Sequence, residues 1–145
     1  MASSYPRLTG REVDQADVLA PSDEAVIARG SARLEQSTGH QLVVVTVTSL
    51  GGRRIEEYAQ GLGNYWHIGR RGVDDGVLVL VAPKEGQVRI ATGDGVRDRL
   101  TDAEAADIIR NDMLPRFKLG EMRAGIYKGV VRIMAELDSS PGDYR

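Results

Sequence analysis

Two apolar, β-branched runs constrain the fold of this chain more than any other feature. They span residues 42–47 (Leu-Val-Val-Val-Thr-Val) and 77–82 (Val-Leu-Val-Leu-Val-Ala). A strand with one wet face alternates apolar and polar residues. These runs do not alternate, so each is predicted to be covered on both faces by helices. The segment between them repeats apolar residues at spacings of three and four, which is typical of a helix. The pair therefore predicts two parallel strands joined by a helical crossover, a βαβ unit.

A short turn follows the second run, at residues 83–86 (Pro-Lys-Glu-Gly). The next residues, 87–92, favour a third long strand, and so short a turn predicts a hairpin with the second strand. Thr101 and Glu104 form a capping-box pattern that opens a helix, which Pro115 is predicted to end. Together these elements predict an α/β protein: a three-layer α/β/α sandwich around a small mixed sheet with a βαβ crossover and a hairpin.

Length and composition bound the function classes. The 145 residues suffice for one domain. We expect a flexible segment over 1–12, a single domain over 13–138 and a flexible tail or linker over 139–145. The net charge of −2 and the scarcity of aromatic residues argue against nucleic-acid binding. The chain contains no cysteine, which excludes disulfides, thiol catalysis and thiolate metal sites.

Acidic residues precede the second run and follow the third strand. Asp74 and Asp75 come directly before Gly76, and Asp94, Asp98 and Asp102 follow Thr92. In an antiparallel pair, the start of one strand and the end of the other lie at the same end of the sheet. Up to five carboxylates are therefore predicted at one edge. Oxygen ligands on glycine-containing loops suit Ca²⁺ or Mg²⁺ better than Zn²⁺ or Cu²⁺.

The same residues allow an interpretation without a metal. Asp-Asp-Gly is a common turn sequence, and the helix dipole alone accounts for Asp102. Nearby arginines could neutralise the acidic edge: Arg70, Arg71, Arg97 and Arg99. No local pattern supplies a catalytic nucleophile, so the residues themselves assign no catalytic role.

Several stretches together resemble the TPM domain family. They include residues 13–19 (Val-Asp-Gln-Ala-Asp-Val-Leu), 74–78 (Asp-Asp-Gly-Val-Leu), 89–95 (Arg-Ile-Ala-Thr-Gly-Asp-Gly) and 100–103 (Leu-Thr-Asp-Ala). No single stretch is decisive, but their order and spacing are specific. The family occurs in thylakoid-lumen proteins linked to photosystem II repair and in bacterial envelope proteins.

This resemblance implies an α/β/α sandwich and an extracytoplasmic, periplasmic domain, with a membrane anchor in the full-length protein. It also implies binding of a divalent cation, Ca²⁺ in particular, and a weak acid-phosphatase activity. By position, Asp14 and the Asp74–Asp75 pair match the family's acidic motifs. Asp94 stands where the family pattern often has an aromatic residue.

Three hypotheses follow. The leading one is a monomeric envelope domain that binds Ca²⁺, or Mg²⁺, and supports membrane-protein complexes, with the metal ligands drawn from Asp74, Asp75, Asp14, Asp94 and Asp98. The second is a metal-dependent acid phosphatase in which Arg70 or Arg71 would clamp the phosphate. The third is a metal-free protein-interaction domain whose arginines neutralise the acidic edge.

Overall fold

Four strands form one mixed sheet in the computed structural model, which describes residues 5–69 and 75–138. In chain order, the strands are β1 (Glu12–Asp14), β2 (Gln41–Thr46), β3 (Gly76–Ala82) and β4 (Gln87–Thr92), and the spatial order is the same. The helices are α1 (Pro21–Thr38), α2 (Ile55–Trp66), α3 (Asp102–Ile108), α4 (Leu114–Lys118) and α5 (Met122–Asp138). A 3₁₀ turn spans Asp94–Val96, and a π-helical turn spans Ile109–Met113.

The strand pairing confirms the predicted βαβ unit and hairpin, and it adds a fourth strand, β1, that the sequence did not predict. β2 runs parallel to both β1 and β3, and α2 forms the crossover between β2 and β3. β4 runs antiparallel to β3, with Val77 opposite Thr92 and Ala82 opposite Gln87. The hairpin therefore brings the start of β3 beside the end of β4.

Both faces of the sheet are covered, as the unbroken apolar runs predict. Leu42 and Val44 of β2 pack on the face shared with α1 and α5, whereas Val43 and Val45 pack on the face shared with α2. Two βαβ crossovers are present: α1 joins β1 to β2, and α2 joins β2 to β3. Both move one strand along the sheet in the same direction, but α1 and α2 lie on opposite faces, so the two crossovers have opposite handedness. The predicted α/β/α sandwich is confirmed. Among residues 5–69 and 75–138, none of the helices is long and apolar enough to span a membrane.

The prediction that Pro115 ends a helix is wrong. The capping box at Thr101 and Glu104 forms, with hydrogen bonds of 3.1 and 2.9 Å in the two directions. The helix then widens into the π-helical turn and continues as α4, in which Pro115 lies in the first turn. Within a continuous helix, proline lacks one N–H and its ring crowds the carbonyl of the preceding turn. The widened π-helical turn lies directly before Pro115, where the helix must accommodate this.

The N-terminal segment contacts α2, although residues 1–12 are predicted to be flexible. The Tyr5 ring lies edge-on to Tyr58 with centroids 5.1 Å apart, and the Trp66 indole N–H donates to the Pro6 carbonyl at 3.0 Å. These contacts cover part of the sheet face under α2. The predicted tail over 139–145 lies outside the described residues.

An ion pair joins the first turns of α1 and α5. The Arg123 guanidinium donates to Asp23 Oδ2 at 2.7 Å, and the Ala20 N–H donates to the same oxygen at 3.0 Å. Chiefly through the Arg123 hydrogen bond, these contacts hold the pKa of Asp23 below its usual value. Since the pKa is lower in the folded than in the unfolded chain, the ionised carboxylate stabilises the fold at neutral pH. This stabilisation is lost as the pH falls through the folded-state pKa.

We therefore expect Asp23→Asn to unfold more easily than the parent at pH 7. The difference should shrink as the pH falls below about 4, because the parent carboxylate is then protonated as well. Urea unfolding of both proteins at a series of pH values measures the difference. A gap that stays constant across the series would contradict this role of the Asp23 charge.

Candidate functional site

A polar groove lies between α2 and the end of the β3–β4 hairpin. It has a volume of about 630 Å³. The Gly93 N–H donates to the Gly76 carbonyl at 3.0 Å, which fixes the loop after β4 beside the loop before β3. The predicted meeting of these two loops is thus present. The charged residues along the groove are Glu56, Arg89, Asp94, Arg97 and Asp102.

Asp94 is the predicted ligand that faces the groove most openly. It begins the 3₁₀ turn, and its side chain is 80 % exposed. Arg97, one turn later, lies 3.0 Å from Asp94 Oδ1. Because this ion pair is exposed, we expect it to contribute less than about 1 kcal/mol. A competing ligand can therefore displace Arg97 at small cost.

Asp75 lies at the same edge but is buried. It precedes Gly76, the first residue of β3, and its side chain has no solvent exposure. Its Oδ2 lies 3.4 Å from Nδ1 of His40, which is also buried. That nitrogen makes no hydrogen bond to any residue in the described ranges. The neighbouring Asp74, together with Arg70 and Arg71, lies outside the described residues.

Asp14 lies at the opposite edge of the sheet from Asp75. It ends β1 and pairs with Thr46 at the carboxyl end of β2, whereas Gly76 pairs with Gln41 at the amino end of β2. Its carboxylate accepts the N–H groups of Val18 and Leu19, at 3.0 and 2.8 Å, and the Thr46 hydroxyl at 2.7 Å. These three donors give Asp14 a structural role in closing the turn after β1.

Asp98 lies beyond the 3₁₀ turn and is exposed, but it does not line the groove. The sheet edge therefore gathers Asp94 and Asp102 around one opening, with Asp75 buried next to it. Within residues 5–69 and 75–138, no three His, Asp or Glu side chains converge closely enough to hold a metal ion. The exposed carboxylates fit the chemistry of a hard cation, but they do not form a complete ligand set by themselves.

The α2 wall of this groove is not among the features predicted from the sequence. Glu56, Gln60 and Asn64 are exposed and follow one another at intervals of four along α2, so they form a polar row on one side of the helix. The spacing is visible in the sequence. That this row faces β4, however, depends on how α2 packs on the sheet.

Known structures and families were compared with this chain. A family model described as the TPM domain matches residues 13–136. No curated protein matches the sequence. The N-terminal domain of a protein from P. gingivalis, solved by solution NMR, superposes with a TM-score of 0.84 at 28% identity, covering 90% of this chain and 83% of that one.

Two more distant solution structures share the fold. The N-terminal domain of the cg2496 protein from Corynebacterium glutamicum gives a TM-score of 0.68 at 19% identity and covers 98% of this chain and 90% of its own. The BA42 protein from the psychrophilic bacterium Bizionia argentinensis gives 0.69 at 20% identity, with coverages of 83% and 82%. The family match extends over most of the chain and agrees with the sheet and helices described above. This chain belongs to the TPM domain family.

Proposed function

We propose that this domain is a binding module that holds a divalent cation, Ca²⁺ in preference to Mg²⁺, at the acidic end of the groove. The observation that supports this most is the Gly93–Gly76 hydrogen bond, which brings the loop of Asp94 to the edge where the Asp74–Asp75 pair enters β3. Asp102 lines the same groove. Ca²⁺ accepts carboxylate, carbonyl and water oxygens in flexible arrangements, so loop residues are suitable ligands.

The proposal assigns different roles to the predicted ligands. Asp94 and Asp102 would supply carboxylate oxygens from the groove. Asp74, which precedes Asp75 in the sequence, stays a predicted ligand. Asp94 would exchange Arg97 for the cation, which removes only a weak, exposed ion pair. Asp14 is already satisfied by three donors at the far edge, so the proposal does not use it.

We expect Ca²⁺ titration of the ¹⁵N-labelled domain to shift the amide signals of residues 93–97. Asp94→Asn removes one charge from the proposed ligand set and should weaken Ca²⁺ binding by about tenfold or more. Asp107→Asn is the matched control, because Asp107 lies on α3, away from the groove, where it pairs with Arg110 and Asn111. Equal affinities of the two variants, or no shifts at millimolar Ca²⁺, would overturn the proposal.

A phosphatase is the second candidate, and one feature of the groove favours it. The guanidinium groups of Arg89 and Arg97 line the same opening as the carboxylates. Guanidinium groups bind phosphate oxygens well, and a bound cation could polarise a phosphoryl oxygen. Hydrolysis of p-nitrophenyl phosphate that Arg89→Gln abolishes and Asp107→Asn preserves would favour the enzyme over the binding module.

The metal-free interaction domain is the third candidate. It is supported by the Arg97–Asp94 pair, which neutralises part of the acidic edge. The Ca²⁺ titration separates it from the leading proposal, since a metal-free domain would show no shifts.

We further propose that the domain works as a monomer in the periplasm or another extracytoplasmic space, anchored to the membrane in the full-length protein, where it supports membrane-protein complexes. This part rests on the family resemblance. Fractionation of cells that express the full-length protein tests the location, and sedimentation tests the monomer.

A further inference from the structure

We propose that the open edge of β4 is a docking site for an extended peptide segment of a partner protein, which would add a fifth strand to the sheet. Among the residues that the structure describes, β4 is the last strand in the spatial order, so only one of its edges is paired there. The proposal does not require a bound cation, although the groove of the candidate site runs along part of this edge. It concerns the backbone of β4 and the two helical walls beside it.

Backbone geometry shows which groups are available for pairing. The Gly93 N–H bonds to the Gly76 carbonyl, and the β3–β4 register is continuous. Hydrogen-bonded pairs alternate along an antiparallel ladder, so Arg89 and Ala91 direct their N–H and C=O groups toward β3. Val88, Ile90 and Thr92 direct theirs outward. Across the described ranges, no residue pairs with these outward groups.

Helical walls flank this edge on both sides. At its beginning, a cavity of about 470 Å³ runs from Ile55 on α2, past Val88, to Ile109 of the π-helical turn and Leu114 of α4. At its other end, the 630 Å³ groove continues along α2. Glu56 lines both cavities, and every residue of β4 except Ile90 lines one or the other.

The walls favour a single extended segment over a second copy of this chain. Ile90, in the middle of the edge, is only 4 % exposed. This low exposure reflects its side chain, which packs into the core on the face shared with α1 and α5. The walls beside the edge are shown instead by the two cavities, whose linings combine residues of β4 with residues of the helices. The β4 edge of a second copy is flanked by equal walls and would meet them before the strands could pair. A single peptide strand has no helices beside it that would clash. Its N–H and C=O groups repeat at the spacing of the outward groups of Val88, Ile90 and Thr92.

Side chains around the groove indicate the composition of the segment. The polar row Glu56, Gln60 and Asn64 would face one side of an added strand, and the apolar Ile109 and Leu114 would face the other. Residues of a strand point alternately to its two faces. The fitting partner is therefore a segment that alternates hydroxyl or basic residues with β-branched apolar residues.

The free protein provides the first test. We expect the amide protons of Val88, Ile90 and Thr92 to exchange with solvent at least about tenfold faster than those of Arg89 and Ala91, because only the latter are bonded within the sheet. Hydrogen exchange followed by NMR, in EDTA to exclude any effect of cations, measures all five. Equal protection of both sets would show that the outward row is already satisfied and would overturn the proposal.

The second test uses a defined peptide, the blocked heptapeptide Lys-Thr-Val-Thr-Val-Thr-Lys. We expect it to bind at millimolar concentration in EDTA, to shift the amide signals of residues 87–92 and to slow exchange at Val88, Ile90 and Thr92. Two N-methylated versions, each modified at alternate residues, should behave differently. The one that loses the donors facing β4 should not bind, and the other should bind as before.

Two variants of Thr92 complete the design. Thr92→Pro removes one outward N–H and leaves the bonds to β3 in place. Strands accept proline at such an edge position. We expect this variant to bind the peptide about tenfold more weakly than the parent. Thr92→Val keeps the N–H and should bind like the parent. Three results would each overturn the proposal: no binding of the peptide, binding that N-methylation does not change, or dimerisation of the protein through β4 in sedimentation. These tests remain valid even if Thr92→Pro does not fold.

Discussion

Replacing Asp14 by alanine is expected to lower the free energy of unfolding by about 3 kcal/mol, because the variant loses three hydrogen bonds to a carboxylate. Asp14 Oδ1 accepts the Val18 N–H and the Thr46 hydroxyl, and Oδ2 accepts the Leu19 N–H. The two N–H groups belong to the turn that leads into α1, and the hydroxyl belongs to β2. Without the carboxylate, the turn would keep the bonds from the Gln15 and Ala16 N–H groups to Thr46 but would lose the three bonds that Asp14 accepts.

The melting temperature measures this effect, and a loss of this size corresponds to about 10 °C in a domain of this length. Asp14→Asn keeps one acceptor oxygen at nearly the same shape and should lose less. Asp98→Ala, at an exposed position, is the control and should change stability by no more than about 0.5 kcal/mol. A variant Asp14→Ala that melts like the parent but no longer binds Ca²⁺ would contradict the structural role.

Gly125→Ala is expected to destabilise the protein by about 1–3 kcal/mol, although alanine is the better helix former. A Cβ atom at Gly125 would lie 2.5 Å from Cε1 of Phe117 and 2.9 Å from the backbone oxygen of Met113. The backbone oxygen cannot move away as a flexible side chain can. The added methyl group must therefore push α5 away from the π-helical turn.

Gly63→Ala is the matched control. It replaces a glycine inside α2 where a Cβ atom would meet nothing within 4 Å. We expect this variant to be more stable than the parent by up to about 1 kcal/mol, from helix propensity alone. Thermal and urea unfolding of both variants give the two signs. If both substitutions stabilised the protein, α5 would not be as tightly packed against the turn as the structure shows.

The acidic edge illustrates how far a sequence-based prediction of a site reaches. That the Asp75 and Asp94 loops meet follows from the hairpin, and the Gly93–Gly76 hydrogen bond confirms it. The sequence did not reveal that Asp75 is buried beside His40 while Asp94 is exposed beside Arg97. Acidic residues look alike in a sequence, and the burial of Asp75 depends on His40, which lies in a distant segment of the chain.

The environment of Asp14 was also not predictable from its neighbours in the sequence. Its position matches an acidic motif of the family, which gave it a predicted metal role. In the fold, the turn at residues 15–19 supplies two donors and β2 the third. The residues next to Asp14 in the sequence do not predict the contact with Thr46. That contact forms because β1 and β2 pair in parallel.

The sequence alone determined the layers, the parallel pairing of β2 with β3 and the hairpin of this protein. Residues 42–47 and 77–82 are apolar without alternation. Because the hydrophobic effect disfavours contact of apolar side chains with water, both faces of each strand are buried. Tertiary structure decided which carboxylates are exposed, how the helix passes Pro115, and which residues of β4 direct their backbone groups away from β3. Those features depend on contacts between distant segments and on which residues form the hydrogen-bonded pairs of the β3–β4 ladder. The chemistry of a single residue predicts neither.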